Sequence, residues 1–127
     1  MIKFVFCLRR LPHLSRAEFL DYWHNHHGPL ALSFQKVLGI QKYIQLHTIA
    51  TPLDAALRDS RGGPEPFDGI AEVWWESLEV VQRSLADPEA QAAWAALTED
   101  EKRFIDLEHS PLWFGEEHVM VSAQAAT

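Results

Sequence analysis

The sequence predicts an α+β fold, a ferredoxin-like βαββαβ unit with an antiparallel sheet. Three observations carry that prediction. Residues 2–8, 40–50, 67–76 and 112–121 alternate with the side-chain period of two that marks strands. Between the first and second of these segments, and again between the third and fourth, apolar residues recur at helical spacing behind N-capping residues. The strands are also apolar on both faces, which a sheet covered on one side only would not show. At 127 residues, 47% hydrophobic and 23% charged, the chain has the composition of one globular domain with a single core. We place that domain at residues 1–122 and a loose tail at 123–127.

Each element has a local reason. Ile2, Phe4, Phe6 and Leu8 alternate with Lys3, Val5, Cys7 and Arg9 as the first strand. Ser15-Arg16-Ala17-Glu18 is a capping box, and Phe19, Tyr22, Trp23, His26 and Leu30 form an aromatic stripe that should face the sheet. Gly28-Pro29 interrupts that helix, so a kink or a restart is expected before Leu30, Phe34, Val37 and Leu38 carry the pattern on to Gly39. In the second strand Ile40, Ile44 and Leu46 share one face, while Gln41, Tyr43, Gln45 and His47 share a polar and aromatic one suited to a pocket floor. Residues 51–66 read as a long connection with a short amphipathic piece at Leu53–Leu57 and a candidate role as a lid. Trp74 and Trp75 should point to opposite faces of the third strand. Ser77 and Asp87-Pro88 open the next helices, and Thr98-Glu99-Asp100-Glu101 reads as a further capping box, with its acidic run as a solvated helix start. The last strand is expected from Leu112 to Val121.

Net charge narrows the function classes. The formal charge of −7 argues against non-specific nucleic-acid binding. The charge is unevenly placed, about +4 over residues 1–63 and −11 over residues 64–127. Cys7, the single cysteine, permits no intrachain disulfide, and no stretch reaches the length of a membrane span, so a cytoplasmic location without a membrane partner is expected. Five Trp and seven His are more rings than a small core needs, and some should line a pocket or a subunit interface. Two such units can close their sheets face to face, which would cover the second apolar strand face in a homodimer.

The stretch Phe19-Leu20-Asp21-Tyr22-Trp23-His24-Asn25-His26-His27-Gly28-Pro29-Leu30 resembles the signature of the EthD family, an aromatic-Trp helix ending in His-Gly-Pro-Leu. Tyr43-Ile44-Gln45-Leu46-His47 resembles that family's second strand, and Phe67-Asp68-Gly69-Ile70-Ala71-Glu72-Val73-Trp74 its third. The resemblance spans about residues 2–121. It implies a dimeric α+β barrel with a cleft between helices and sheet. Characterised members include a methylmuconolactone isomerase and dehydratases of fungal aromatic polyketide pathways. The family name comes from an association with ether degradation.

The residues then sort by chemistry. His27, read as standing at a helix end where carbonyl dipoles favour the imidazolium, is the candidate acid/base group; the other reading has it bonding the carbonyls freed at Pro29. Tyr43 and His47, four apart on one strand face, can polarise or orient a carbonyl, or form a polar cluster at a dimer seam. Trp23, Trp75 and Phe6 are expected to hold a substrate ring. Asp68 is a candidate second acid or base at the site, although Asp-Gly is first a turn signal. Arg9 can hold a carboxylate or cap the sheet edge, and Cys7 reads as packing. His24 and His27 can share a helix face, but His26 and His27 diverge and no Glu accompanies them in the metalloprotease spacing, so no metal is expected, and no motif for haem or any other cofactor is seen. The expected activity is a cofactor-free lyase or isomerase moving a proton next to the carbonyl of a small aromatic, quinoid or lactone substrate. A ligand-binding accessory protein and a cofactor-independent monooxygenase are the alternatives.

Overall fold

The computed structural model describes residues 1–123. Its elements are β1 (Ile2–Leu8), α1 (Arg16–Tyr22), a π-turn (Trp23–His27), α2 (Gly28–Ser33), α3 (Gln35–Leu38), β2 (Lys42–His47), α4 (Pro52–Asp59), β3 (Gly69–Trp75), α5 (Leu78–Ala86), α6 (Pro88–Glu101) and β4 (Leu112–Gly115). The strands pair antiparallel in the order β2-β3-β1-β4, the ferredoxin-like arrangement that the alternation predicts.

Register divides the sheet into two unlike faces. On the inner face Tyr43, Val73, Phe4 and Phe114 form one row across the four strands, and Gln45, Ala71, Phe6 and Leu112 the next. Phe6, Leu8 and Ala71 pack there against Phe19, Trp23, Phe104 and Ile105, while Ile2, Val73 and Trp75 pack against Val81. The outer face carries the row Ile44, Glu72, Val5 and Trp113, flanked by Leu46, Ile70 and Cys7. Trp74 and Trp75 do point to opposite faces: Trp75 is buried inside, and Trp74 lies between the ammonium groups of Lys3 and Lys42.

The helix starts follow the caps. Ser15 accepts from the Glu18 amide at 3.1 Å while Glu18 accepts from the Ser15 amide at 3.0 Å, and Asp87 caps α6 by accepting from the Ala90 amide at 2.9 Å. Thr98–Glu101 does not start a helix. α6 runs through it and ends at Glu101, because Ala95, Ala96 and Leu97 are strong helix formers and neither Gly nor Pro interrupts residues 89–101. The acidic pair Asp100-Glu101 therefore sits at a helix C-terminus and turns inward.

Three further expectations change. β4 ends at Gly115, short of Val121, and Glu117 beyond it turns back to accept from the Trp74 indole and to face Lys3. Within residues 51–66, α4 is capped by Thr51 and keeps Leu53 and Leu57 exposed. The helix stripe faces the sheet through Phe19, Trp23 and His27, leaving His26 in solvent, because the π-turn lengthens one turn and shifts the inward position by one residue. Of the tail expected over residues 123–127, positions 124–127 lie outside the described residues. Among the described residues no helix is long and apolar enough to cross a membrane.

Candidate functional site

A cavity opens between the inner face of the sheet and the helices that cover it. Its volume is about 70 Å³, within about 570 Å³ of empty space once the mouth is counted. Phe4, Phe6 and Trp75 make the sheet side, and Trp94, Leu97 and Ile105 supply apolar wall from the segment after β3. The Trp75 and Trp94 rings stand 6.0 Å apart, and their indole N–H groups are already engaged, donating to the Leu38 carbonyl at 2.8 Å and the Ser84 hydroxyl at 2.9 Å. Ring faces are thus left for a ligand. Three titratable groups interrupt this lining: His27, Tyr43 and Glu101.

His27 owes its position to the π-turn. Pro29 has no amide to offer the carbonyl four residues back, and the chain closes a wider turn in which the Gly28 amide donates to the Trp23 carbonyl. The chain does not end there but continues into α2, so no terminal dipole raises the imidazole. Burial instead pushes His27 below its ordinary value, against the opposing pull of the Asp100 carboxylate. Nδ1 lies 2.8 Å from Asp100 Oδ2, an acceptor that fixes the proton on Nδ1 and leaves Nε2 as a lone pair. Nε2 lies 3.8 Å from Glu101 Oε2.

The two neighbouring carboxylates are tuned apart. Burial would raise Asp100, but hydrogen bonds from Tyr22 Oη at 2.6 Å, from His27, and from Arg103 at 2.9 Å outweigh it and hold the carboxyl below its usual range. Among the described residues none donates a hydrogen bond to Glu101. Burial, reinforced by the charge of Asp100, pushes it up to about 7. A base with a free lone pair and a carboxyl poised near neutrality therefore share one wall of an apolar cavity.

Tyr43 faces them from β2. Burial raises its phenol above the ordinary value, against hydrogen bonds from Gln45 and Trp23. Gln45 Nε2 donates to Tyr43 Oη at 2.8 Å and to the Trp23 carbonyl at 3.1 Å, while its Oε1 lies 2.8 Å from His47 Nε2. The phenol oxygen is thereby occupied as an acceptor, and its proton is left to point at a ligand.

The structure sorts the residues expected from the sequence. His27, Tyr43, Trp23, Trp75 and Phe6 meet at the cavity; His47 and Asp68 do not. His47 stacks on Trp23 at 5.0 Å and bonds Gln45, which donates to Tyr43, and it lines a separate groove with Tyr43, Gln45 and His24 rather than the cavity wall. Asp68 is fully buried beside the strand entry. Its carboxylate accepts from Arg10 Nη1 at 2.5 Å, from the Arg10 amide at 2.8 Å and from Arg16 Nε at 3.1 Å, which spends it as a structural anchor. Arg9 donates to the Pro66 carbonyl at 2.9 Å and lies over Phe67, holding the sheet edge, and Cys7 is buried. No residue of 51–66 lines the cavity in this structure. Asp100, Glu101 and Trp94 were not anticipated. An acidic pair with no Lys or Arg at the helical spacing toward its N-terminal side was the available signal.

A family model described as the EthD domain matches residues 11–108. The chain belongs to the EthD family. The His27-Gly28-Pro29-Leu30 element that suggested it forms the junction of the π-turn and α2, where it presents His27 to the cavity. No curated protein gives a significant match. Among solved structures, an EthD family protein from Bacillus halodurans C-125 is 21% identical, with 93% of this chain and 99% of that one covered at a TM-score of 0.61. A dimeric protein of unknown function with a ferredoxin-like fold, from Bacteroides fragilis, is 13% identical over 91% of this chain and 95% of that one, with a TM-score of 0.58. SnoaB, a cofactor-independent oxygenase from Streptomyces nogalater, is 18% identical over 96% and 97%, with a TM-score of 0.53. At these identities the likeness establishes the shared fold.

Proposed function

We propose that this EthD chain is a lyase or isomerase that works without a cofactor, moving a proton next to the carbonyl of a small aromatic, quinoid or lactone compound. The observation that carries the reading is the meeting of His27 Nε2, Glu101 and the Tyr43 hydroxyl on the walls of one apolar cavity. His27, held through Nδ1 by Asp100, takes the proton at Nε2 and becomes an imidazolium paired with a carboxylate 2.8 Å away. Tyr43 donates to the carbonyl oxygen as it gains charge, in surroundings where low dielectric strengthens that bond. Glu101, protonated below about pH 7, returns a proton to the neighbouring carbon or to a leaving hydroxyl. Rings rest against Trp23, Trp75 and Phe6. In this reading residues 1–122 act as one domain, in the cytoplasm and as a homodimer, as the dimeric Bacteroides fragilis protein of the same fold suggests.

The test is conversion of a panel of phenolic, quinoid and lactone compounds with and without oxygen. Replacing His27 by Ala should lower turnover at least about 100-fold; an unchanged rate removes it from the mechanism. The likeness to SnoaB supports a second reading, in which the same base generates a carbanion that reacts with oxygen. Conversion that stops under anaerobic conditions selects that reading, and binding without conversion selects an accessory protein.

A further inference from the structure

Among the described residues the permanently charged basic side chains stand away from the cavity, whose one base is the neutral imidazole of His27. Among the described residues neither Lys nor Arg lines it, and Glu101 is its one carboxyl. Arg103, the cation beside the site, is held to Asp100 Oδ1 at 2.9 Å with its side chain 65% exposed. Arg10 and Arg16 are bound to Asp68, and Arg9 to the Pro66 carbonyl. Lys3 and Lys42 flank Trp74 on the outer face of the sheet. The polar atoms that do face the cavity are suited to an uncharged partner: Tyr43 offers a donor to a carbonyl oxygen, and His27 Nε2 offers an acceptor to an acidic O–H or C–H.

We infer that the cavity selects uncharged ring compounds, carrying a carbonyl oxygen and one acidic hydrogen, and rejects their carboxylate counterparts. This deepens the proton-transfer reading, since it takes the same cavity as the substrate site. A carboxylate entering here gives up its hydration and finds no cation to replace it, which is costly in an apolar enclosure. It also meets Glu101, with Asp100 behind His27. A neutral ketone or lactone loses only weak hydration and recovers hydrogen bonds at both ends.

Trp23, Trp75 and Trp94 report binding through their fluorescence, because all three touch the cavity. We would titrate the wild-type protein at pH 8 with pairs that keep the ring and change the charge, methyl benzoate against benzoate and 2-hydroxyacetophenone against salicylate. The neutral member should bind at least about 10-fold more tightly in each pair. In Glu101→Gln, checked for folding by circular dichroism, the carboxylate should gain relative to its neutral partner by about 3-fold or more. Equal or tighter binding of the carboxylates overturns the inference, and so does failure of both members to bind. The underlying reading fails separately: selective binding that persists while His27→Ala turns over normally would leave the cavity's selectivity standing without His27 as its base.

Discussion

Asp100 and Glu101 adjoin in the chain and are driven in opposite directions, one held low by three donors and the other pushed up to about 7. Two consequences can be measured. If His27 accepts the proton while Glu101 supplies one, kcat/KM falls above about pH 7, and Glu101→Gln abolishes that alkaline limb; the two groups titrate as a pair, so the limb belongs to both. Stability follows the same proton. The folded pKa of Glu101 lies above its ordinary 4.5, so the protonated acid supports the fold below that pH and the support is lost as pH rises through about 7. Unfolding free energy of the wild type should drop by about 1–3 kcal/mol more over that interval than that of Glu101→Gln, read by urea titration. Asp100→Asn tests positioning. The amide can no longer fix the proton on His27 Nδ1, and turnover should fall roughly 100-fold or more, with the acid limb of the profile moved to lower pH because the carboxylate that raises His27 is gone. A purely structural role for Asp100 would leave that limb in place. Tyr43 was legible in the sequence from the alternation of its strand, and His27 from the helix break at Gly28-Pro29 and the resemblance carried by His-Gly-Pro-Leu. Asp100 and Glu101 were not, because Thr-x-x-Glu is the same three-residue spacing at a helix start and along a helix face.

The π-turn is the element on which the site depends, and two glycines make room for it. At Gly28 a Cβ would stand 3.1 Å from Gln45 Nε2 and 3.3 Å from the Trp23 carbonyl, crowding the hydrogen bond that joins the turn to β2. At Gly69 it would meet the Trp23 ring at 2.5 Å and the Leu46 carbonyl at 2.8 Å. The second contact is with backbone and cannot yield cheaply. Gly69→Ala should therefore destabilise the protein by about 1–3 kcal/mol, measured by denaturant unfolding, and a neutral effect would show that Trp23 is not seated on β3 as described. Element order and sheet arrangement were readable because alternation, caps and helix breakers agree along the chain. The π-turn was readable only as a disturbance at Gly28-Pro29. Local chemistry specifies that a turn is broken there, whereas the wider turn that results also draws on Gln45 from a strand 22 positions away from Trp23. For the same reason the sequence placed His26 on the buried stripe and the fold places His27 there.

The outer face of the sheet carries apolar side chains that the chain leaves exposed. Leu46 is 53% exposed, Trp113 50% and Ile44 38%, and Val5, Ile70 and Cys7 lie between them on the same face. The charges among them are internally matched: Lys3 binds Glu72 at 2.5 Å and also faces Glu117. A face of this kind can be covered by its own copy, apolar rows against apolar rows and ion pairs carried in already neutralised, with the sheets about 10 Å apart as in other face-to-face packings. Apolar residues on both faces of the predicted strands already pointed to such a partner, because alternation reports burial on each side separately. The cavity lies on the other side of the sheet, so association and chemistry can be perturbed independently. Light scattering at micromolar concentration should give twice the chain mass for the wild type. Ile44→Glu with Leu46→Glu should give the chain mass, since two uncompensated carboxylates would be buried at the seam. Tyr43, Gln45 and His47 alternate with the mutated positions and face inward, so circular dichroism and binding of a neutral ring compound serve as controls that the inner face is intact. A wild-type monomer would leave the outer face without its proposed cover and refute the homodimer.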